Sequence, residues 1–507
     1  MSTYVKGIDK NQMSFGLLSL DDMVGGDNSV RAIDAIVDTM DISKYQFIHS
    51  TPSRTGRPPH DPVRMFKLYL YCYFEKIRSS RCIEKECSRN IEAMWLMEQI
   101  VPDHKCISEF RRQNKVAIKA AFSDFMMICD ALDLLGKNLA VIDGSKFRAN
   151  NARKRHVTIP KIDKKLKYFH MKLDEYLCDL DENDENHEKS DKSERVENTK
   201  RKIEELETLK KDMKEQGIGE LSLTDPDARL MITANNGHEV SYNVQTAVDG
   251  EHDLIIATEV IQTPADQGQL YPMAKQAAKL FESDEENPVT VLADKGYFEG
   301  EGIKSCEECS SITAIVARPE EKGNDGYQKS KFIYDEENDH YICPQGHILY
   351  RTGNKKEMEY ANRKACKECE YREQCTKSDR GRRIFRSEYE EAIEISVARL
   401  SENKELYKRR QMIVEHPFGT IKRSLGYNYF LTRGLENVKT ENYLHMLTYN
   451  IKRLLNIYSV PVLIRKLEEI RMKRQGDAFV FYFMSAIFHR LLLEIGKLAA
   501  RYELLAA

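Results

Sequence analysis

Two short apolar runs, each delivering an aspartate into a glycine-bearing segment, constrain this chain most. Asn138-Leu-Ala-Val-Ile-Asp143-Gly144 reads as a buried strand with Asp143 at its C-terminal end, followed by a glycine turn. Thr290-Val-Leu-Ala-Asp294-Lys-Gly296-Tyr297 repeats the pattern of strand, acid and glycine turn. A lone aspartate at a strand end is ordinarily a turn-former or a helix cap. Here there are two, and Ile413-Val-Glu415-His-Pro-Phe-Gly-Thr-Ile-Lys422 adds a glutamate on a charged helical stretch. Hard divalent cations take oxygen ligands, and a two-metal centre clamps the attacking and leaving oxygens of a phosphoryl transfer.

Around these runs the pattern is that of a mixed sheet with helices. Leu230–Ala234, Val240–Val248 and Leu254–Ile261 read as an antiparallel meander, with Asn236-Gly237 and Asp249-Gly250 as two-residue hairpins. A helix follows from about Gln267 to Phe281, then the Asp294 strand and another over Ile312–Ala317. Before the meander the composition shifts: 31 of the 57 residues in 161–217 are Asp, Glu, Lys or Arg. Apolar residues still recur there at Leu166, Phe169, Leu173, Leu177 and Leu180, then at Ile203, Leu206, Leu209 and Met213. That stripe predicts two antiparallel helices in a coiled-coil hairpin and argues against the ordinary alternative, an acidic linker. Residues 1–130 read as helical. Asp61-Pro62 caps a run through Val63, Phe66, Leu70 and Phe74, Ser79-Ser80 and Asp103 are further caps, and Glu109–Lys115 offers a basic face. This region suits a helix-turn-helix-like DNA reader or a dimerising bundle.

A chain of 507 residues buries a substantial core in two or more domains. Its longest late apolar stretch, Phe479 to Ile487, is too short to span a bilayer, and the N-terminus lacks a signal-peptide pattern. Twelve cysteines in such a chain favour thiols or metal ligands over disulfides, and the expected location is cytoplasmic. The net charge of −3 does not exclude nucleic acid, because the charge is unevenly placed. Basic clusters stand at Arg111-Arg112, Lys146 to Arg155, Arg380 to Arg386 and Lys408-Arg409-Arg410, while acid gathers in 179–197 and 282–286. Local basic surface drives phosphate binding; taken singly, each cluster is an ordinary solvated face.

Cys343-Pro-Gln-Gly-His347, Cys366-Lys-Glu-Cys369 and Cys375 form a structural zinc signal within loops that offer little core. Four thiolates close a tetrahedral site, with His347 as the alternative fourth ligand. The nearby pair Cys306 and Cys309 is a further alternative, read first as two unlinked thiols on a helix. Cys72, Cys82, Cys87, Cys106, Cys129 and Cys178 read as buried or semi-buried thiols, and Trp95 as core. Tyr427, Tyr429 and Phe430 suit packing first and base stacking second.

Taken in order, Ile142–Asn150, Tyr242-Asn-Val-Gln-Thr-Ala-Val-Asp249, Ala293–Tyr297 and Val414–Lys422 resemble the DDE transposases of bacterial insertion sequences. Gly56-Arg-Pro-Pro-His-Asp-Pro62 and Ser108-Glu-Phe-Arg-Arg112 resemble the helical module that precedes such catalytic domains, and the resemblance runs through most of the chain. It implies an α/β (α+β mixed) fold with a ribonuclease H-like core over 131–160 and 221–319. A helical DNA-binding or dimerisation domain over 1–130 would precede it. The hairpin would occupy 161–220, a zinc-ribbon-like insertion 320–385, the Glu415 helix and its successors 386–460, and a helical tail 461–507.

The resemblance also implies that Asp143, Asp294 and Glu415 hold two Mg²⁺ (or Mn²⁺) ions, and a similar four-cysteine insertion is seen in related transposases. Lys422 would grip a phosphate, with Arg410, Tyr407, Arg423 and Arg148 as further DNA contacts. The chain departs from the family's tyrosine–arginine–glutamate–lysine spacing: Arg410 lies five residues before Glu415, and Gln411 holds the usual place. His416-Pro417 is expected to break or distort the helix just after the glutamate. The implied substrates are double-stranded DNA, as terminal inverted repeats and target, handled by a homodimer or higher assembly away from membranes. The hairpin and the helices at Val438–Leu455 and Phe479–Leu504 are its candidate surfaces. Two rivals share the fold: a DNA-binding protein that no longer cuts, and a nuclease that only hydrolyses.

Overall fold

The computed structural model describes residues 19–48, 58–151, 155–182, 189–215, 217–233, 237–321, 326–354 and 358–474. The expectations placed on Gly56-Arg57, Arg153-Lys154, Asn236 and Phe479–Leu504 fall outside the described residues. The chain divides into two compact units, one of residues 1–134, 425–427 and 439–507, the other of residues 135–424 and 428–438.

The first unit is helical: α1 (Leu20–Met23), α2 (Ser29–Thr39), α3 (Pro62–Phe74), α4 (Ser80–Cys87), α5 (Ile91–Leu96), α6 (His104–Gln113) and α7 (Lys115–Ala131). Asp61 caps α3 through the Val63 amide, and Asp103 caps α6 through the Lys105 and Cys106 amides. Ser79 precedes α4 without a side-chain cap. α3 buries far more than the predicted stripe. Met65 to Tyr73 are all buried, Lys67 included, which ion-pairs with Asp34 and Asp38 at 2.6 Å each. A helix apolar on every side belongs in the middle of a bundle. Trp95 is half-buried and donates to Asp21, and Cys82 and Cys106 are exposed; both depart from the core and thiol readings.

In the second unit β1 (Leu139–Arg148) leads into β2 (His156–Thr158), then α8 (Ile159–Glu182) and α9 (Lys189–Glu215). The two helices form the predicted hairpin. Ile162, Leu166, Ile203 and Met213 are buried between them, and the Lys210–Asp163 ion pair at 2.6 Å shows the antiparallel register. Cys178, on α8, is exposed.

The chain returns through β3 (Glu220–Ser222), paired with β2, into β4 (Arg229–Ile232), β5 (His238–Asp249), β6 (Ile255–Ile261), α10 (Leu270–Phe281), β7 (Val289–Ala293), α11 (Gly300–Glu307) and β8 (Ile312–Val316). The sheet order is β4-β5-β1-β7-β8, with β6 also on β5. β6, β5 and β1 are antiparallel, while β1, β7 and β8 are parallel. Three antiparallel strands followed by two parallel ones joined through helices make the mixed, ribonuclease H-like sheet.

Two local readings change. β1 does not turn at Gly144; it runs on to Arg148, with Gly144 paired to Gln245. The Asp249-Gly250 connection is longer than two residues. The Asp249 carboxylate accepts from the amides of Gly136, Glu251 and His252, and the left-handed residue is Asp253 at φ +56°.

Next comes a small sheet of β9 (Ile333–Asp335), β10 (His340–Ile342), β11 (Ile348–Asn354), β12 (Met358–Ala361) and β13 (Arg383–Arg386), ordered β13-β12-β11-β10-β9. The short α12 (Arg363–Glu368) and α13 (Arg372–Cys375) sit between its last two strands. Contrary to the expectation of loops without a core, Phe332, Tyr341, Leu349, Tyr360 and Ile384 are buried together here. α14 (Glu390–Glu402) and α15 (Lys404–Gly419) follow. α15 is not broken at Pro417: it continues to Gly419 and then widens into a π turn, Thr420–Ser424. α16 (Leu435–Ile457) closes the named elements and groups with the helical unit from residue 439. Among the described residues no helix is long and apolar enough to cross a membrane.

Candidate active site

β1 and β7 are parallel neighbours with Val141 opposite Leu292, so Asp143 and Asp294, each two residues further on, stand level where β7 ends and β1 continues along β5. Leu139 to Ile142 are buried, which anchors the strand up to the acid. Asp294 ends β7 and caps the next turn, its Oδ1 accepting from the Gly296 amide at 2.8 Å. Burial pushes the Asp143 carboxyl up to about 6; the Arg410 guanidinium works against that, and the nearby Asp294 and Asp266 charges add to it. A crowded pair of oxygen donors of this kind fits a divalent cation, which would relieve the repulsion.

α15 lies against this end of the sheet through buried Ile413, Val414, Pro417 and Phe418. The Tyr407 hydroxyl donates to the Ala293 carbonyl at 3.0 Å, just before Asp294, and Arg410 packs 5.8 Å over the Tyr407 ring. The extra residue in the spacing therefore does not carry Arg410 away from the aspartates. Its consequence falls on Gln411, whose Nε2 donates to Glu415 Oε1 at 2.7 Å. Glu415 itself is exposed. The structure thus brings Asp143, Asp294, Arg410 and Tyr407 together and leaves Glu415 on the open face of α15. Among the described residues, no three His, Cys, Asp or Glu side chains form a group able to hold a metal ion.

Lys422 sits in the π turn, a widened geometry frequent at functional sites. Its Nζ donates to Ser145 Oγ at 2.6 Å and to the Lys146 carbonyl at 2.7 Å, and it lies 4.5 Å from the Phe147 ring centre. Burial, with Lys146 nearby, pushes its ammonium down to about 8. Arg148 is exposed at the end of β1, 5.9 Å over the Tyr429 ring, and Arg423 is exposed beyond the π turn. Tyr427 and Phe430 are buried, so packing accounts for them, and only Tyr429 keeps an open face.

Two stretches of the chain match known families: residues 18–113 a transposase domain (DUF772), and residues 342–455 a transposase DDE domain. Both matches are to transposase families. The second match spans Glu415, Lys422 and the four cysteines, whereas Asp143 and Asp294 lie outside both. No curated protein matches this chain. One solved structure, a piggyBac transposase synaptic complex with hairpin DNA, aligns at 9% identity over 88% of this chain and 79% of its own. Its TM-score of 0.31 is too low to bear on the chemistry here.

Sequence reasoning missed one side chain in this site. Asp266, in the β6–α10 connection, reads as an ordinary loop acid, yet its Oδ1 accepts from Asn243 Nδ2 at 2.7 Å, Gln245 Nε2 at 2.8 Å and Lys146 Nζ at 3.2 Å. The one signal for it was the Tyr242–Asp249 segment, whose Asn243 and Gln245 are polar but fully buried. Away from this end, Cys343, Cys366, Cys369, Cys375 and His347 line one cavity of about 30 Å³. The Cys375 thiol is pushed up by burial; Arg382 opposes the shift, and the other three cysteines add to it. Four such thiols are the donor type zinc takes. Cys306 is buried in α11, and Cys309 contacts Ser311 at 3.4 Å.

Proposed function

We propose that this chain is a transposase that binds the terminal inverted repeats of its insertion sequence and catalyses metal-dependent DNA cleavage and strand transfer. The observation that carries the reading is the level placement of Asp143 and Asp294 on neighbouring parallel strands, with the Arg410 guanidinium close enough to act on Asp143. Asp143 and Asp294 would hold Mg²⁺ (or Mn²⁺), and Glu415, exposed on α15, would have to leave its Gln411 partner to join them. The bound cations supply charge neutralisation and a more acidic water or 3′-hydroxyl. The side chains' own work is placement. Tyr407 ties α15 to the end of β7, Arg410 faces the site, and Lys422 presents a half-buried ammonium at β1 for a phosphate oxygen. Arg148 and Arg423 extend the basic edge along the DNA, and the N-terminal helices would read the repeat. Pairing two ends implies a homodimer or larger assembly, acting in the cytoplasm.

The test uses labelled duplexes of the gene's flanks with purified protein and Mg²⁺, beside Asp294→Asn. Nicking and joining at the repeat boundary, lost in the variant, is the expected result. Specific binding without cleavage by the unaltered protein would make it a silent DNA-binding relative. Cleavage without joining would make it a nuclease.

A structural zinc on Cys343, Cys366, Cys369 and Cys375 rests on their number and spacing alone, since among the described residues the thiols do not form a metal-holding group. Cys366→Ser combined with Cys369→Ser should abolish stoichiometric zinc in metal analysis. The sheet's core should keep β9–β13 protected in hydrogen exchange, because Cys343 and Cys375, the thiols packed on its apolar cluster, are left in place. Purified protein free of zinc would sink this assignment.

A further inference from the structure

Side chains alternate across a strand, so Asp143 and Ser145 face one side of the sheet while Gly144 and Lys146 face the other. Pairing puts Gln245 opposite Gly144 and Asn243 opposite Lys146, on that second face. Asp266 docks there. A Cβ on Gly144 would stand 2.6 Å from Asp266 Oδ1 and 2.5 Å from Gln245 Nε2, so the glycine is the gap that admits the carboxylate. Its other oxygen, Oδ2, is directed at the Asp294 turn, 3.4 Å from where a Cβ on Gly296 would lie. A second link reaches the same turn: the Tyr297 hydroxyl donates to Gln245 Oε1, and Gln245 donates in turn to Asp266 and to Asn243 Oδ1. Asn243, Gln245 and Tyr297 are at most 1% exposed, so the inner part of this chain is closed to water, while Asp266 and Lys146 at its outer end are partly exposed.

We propose that Asp266 is a positioning residue for the catalytic pair. It clamps the Asp294 turn to the back of β1 through Asn243, Gln245 and Tyr297, and so sets the spacing between Asp143 and Asp294. Three donors already converge on Oδ1, which marks it as a strut instead of a cation ligand. A low-dielectric network with every member partnered holds one geometry; with its central acceptor gone, the donors on β5 re-pair and the turn loses its stop.

The inference rests on the cation role proposed for Asp143 and Asp294, and its test separates the two. Mn²⁺ affinity is measured by calorimetry without DNA, beside Mn²⁺-dependent nicking of labelled ends, for the full chain, Asp266→Ala, Asp266→Asn and Tyr297→Phe. The expected result is at least a tenfold weaker Mn²⁺ affinity and a parallel rise in half-saturating Mn²⁺ for Asp266→Ala. Asp266→Asn, which retains one acceptor oxygen, and Tyr297→Phe should shift in the same direction by less, with end binding in EDTA unchanged within twofold. A lower melting temperature with unaltered Mn²⁺ affinity would show a merely structural residue and overturn the proposal. If Asp266→Ala does not fold, a Tyr297→Phe protein with unaltered Mn²⁺ affinity overturns it equally. Unaltered protein that binds Mn²⁺ but never nicks refutes the proposed function alone, and the affinities still judge Asp266. Protein that binds no Mn²⁺ refutes both.

Discussion

Asp143→Asn is expected to abolish strand cleavage and, in the same protein, to raise the melting temperature of the cation-free state. Burial pushes this carboxyl from an ordinary 3.8 up to about 6, so at neutral pH the folded chain holds a charge that its surroundings resist. With a folded value above the unfolded one, the folded state binds the extra proton. Its contribution is therefore favourable below about pH 4 and is lost as pH rises through 6. The difference of roughly two pKa steps is on the order of 3 kcal/mol. Asparagine carries no charge at any pH, so the variant should melt about 2–6 °C higher at pH 8. The gap should narrow below pH 6, as the native carboxyl takes up its proton, and close near pH 4. Mg²⁺ should then raise the melting temperature of the unaltered protein and not that of the variant. Losing the anionic ligand should slow cleavage by about a thousandfold or more, from several kcal/mol of lost charge stabilisation. A variant that melts lower at pH 8 would contradict the account of the buried charge.

Gly144→Ala should damage both stability and cleavage, although it adds a single methyl next to the catalytic aspartate. The new carbon would sit within 2.6 Å of both Asp266 Oδ1 and Gln245 Nε2. Both atoms are pinned, by Lys146, Asn243 and one another, so neither can swing away as a free side-chain end would. Overpacking of this kind costs about 1–3 kcal/mol. Leaving the buried Gln245 or Asn243 donors without their acceptor would add about 1–3 kcal/mol for each. Chemical denaturation should show the loss. Nicking should fall with it even at saturating Mg²⁺, because the methyl displaces the support of the Asp294 turn. An alanine variant of normal stability would mean that the network gives way easily, and the role assigned to Gly144 would fall.

Alternating burial, charge and turn chemistry are local properties, and the elements they govern were legible. The Asp61-Pro62 cap, the hairpin's apolar stripe through Leu166, Phe169, Leu173, Ile203, Leu206, Leu209 and Met213 (though not Leu177, which is exposed), the three strands of the meander and the Asp294 turn stand where the sequence placed them. Even the Arg410 offset could be weighed, since it is a spacing on one helix. The errors arose where a residue's environment comes from distant chain. Gly144 reads as a turn because glycine usually makes one, and nothing nearby in sequence reveals that Asp266, 122 residues on, needs the space. α3 reads as one-sided because periodicity cannot tell that helices cover its other faces. The four-cysteine segment reads as lacking a core because Phe332, Tyr341, Leu349, Tyr360 and Ile384 are spread thinly along it and meet only once five strands have paired.

The sequence by itself determined which side chains are available for chemistry: two strand-borne aspartates, a helix-borne glutamate and lysine, and four thiols at metal-ligand spacing. The tertiary structure alone decided which of them meet. Strand register brings Asp143 level with Asp294, since parallel pairing equates positions far apart in sequence. Helix docking turns Arg410 and Tyr407 toward that pair and Glu415 toward solvent. Which face of a helix is covered depends on what packs against it, and that information resides in no single segment of the chain.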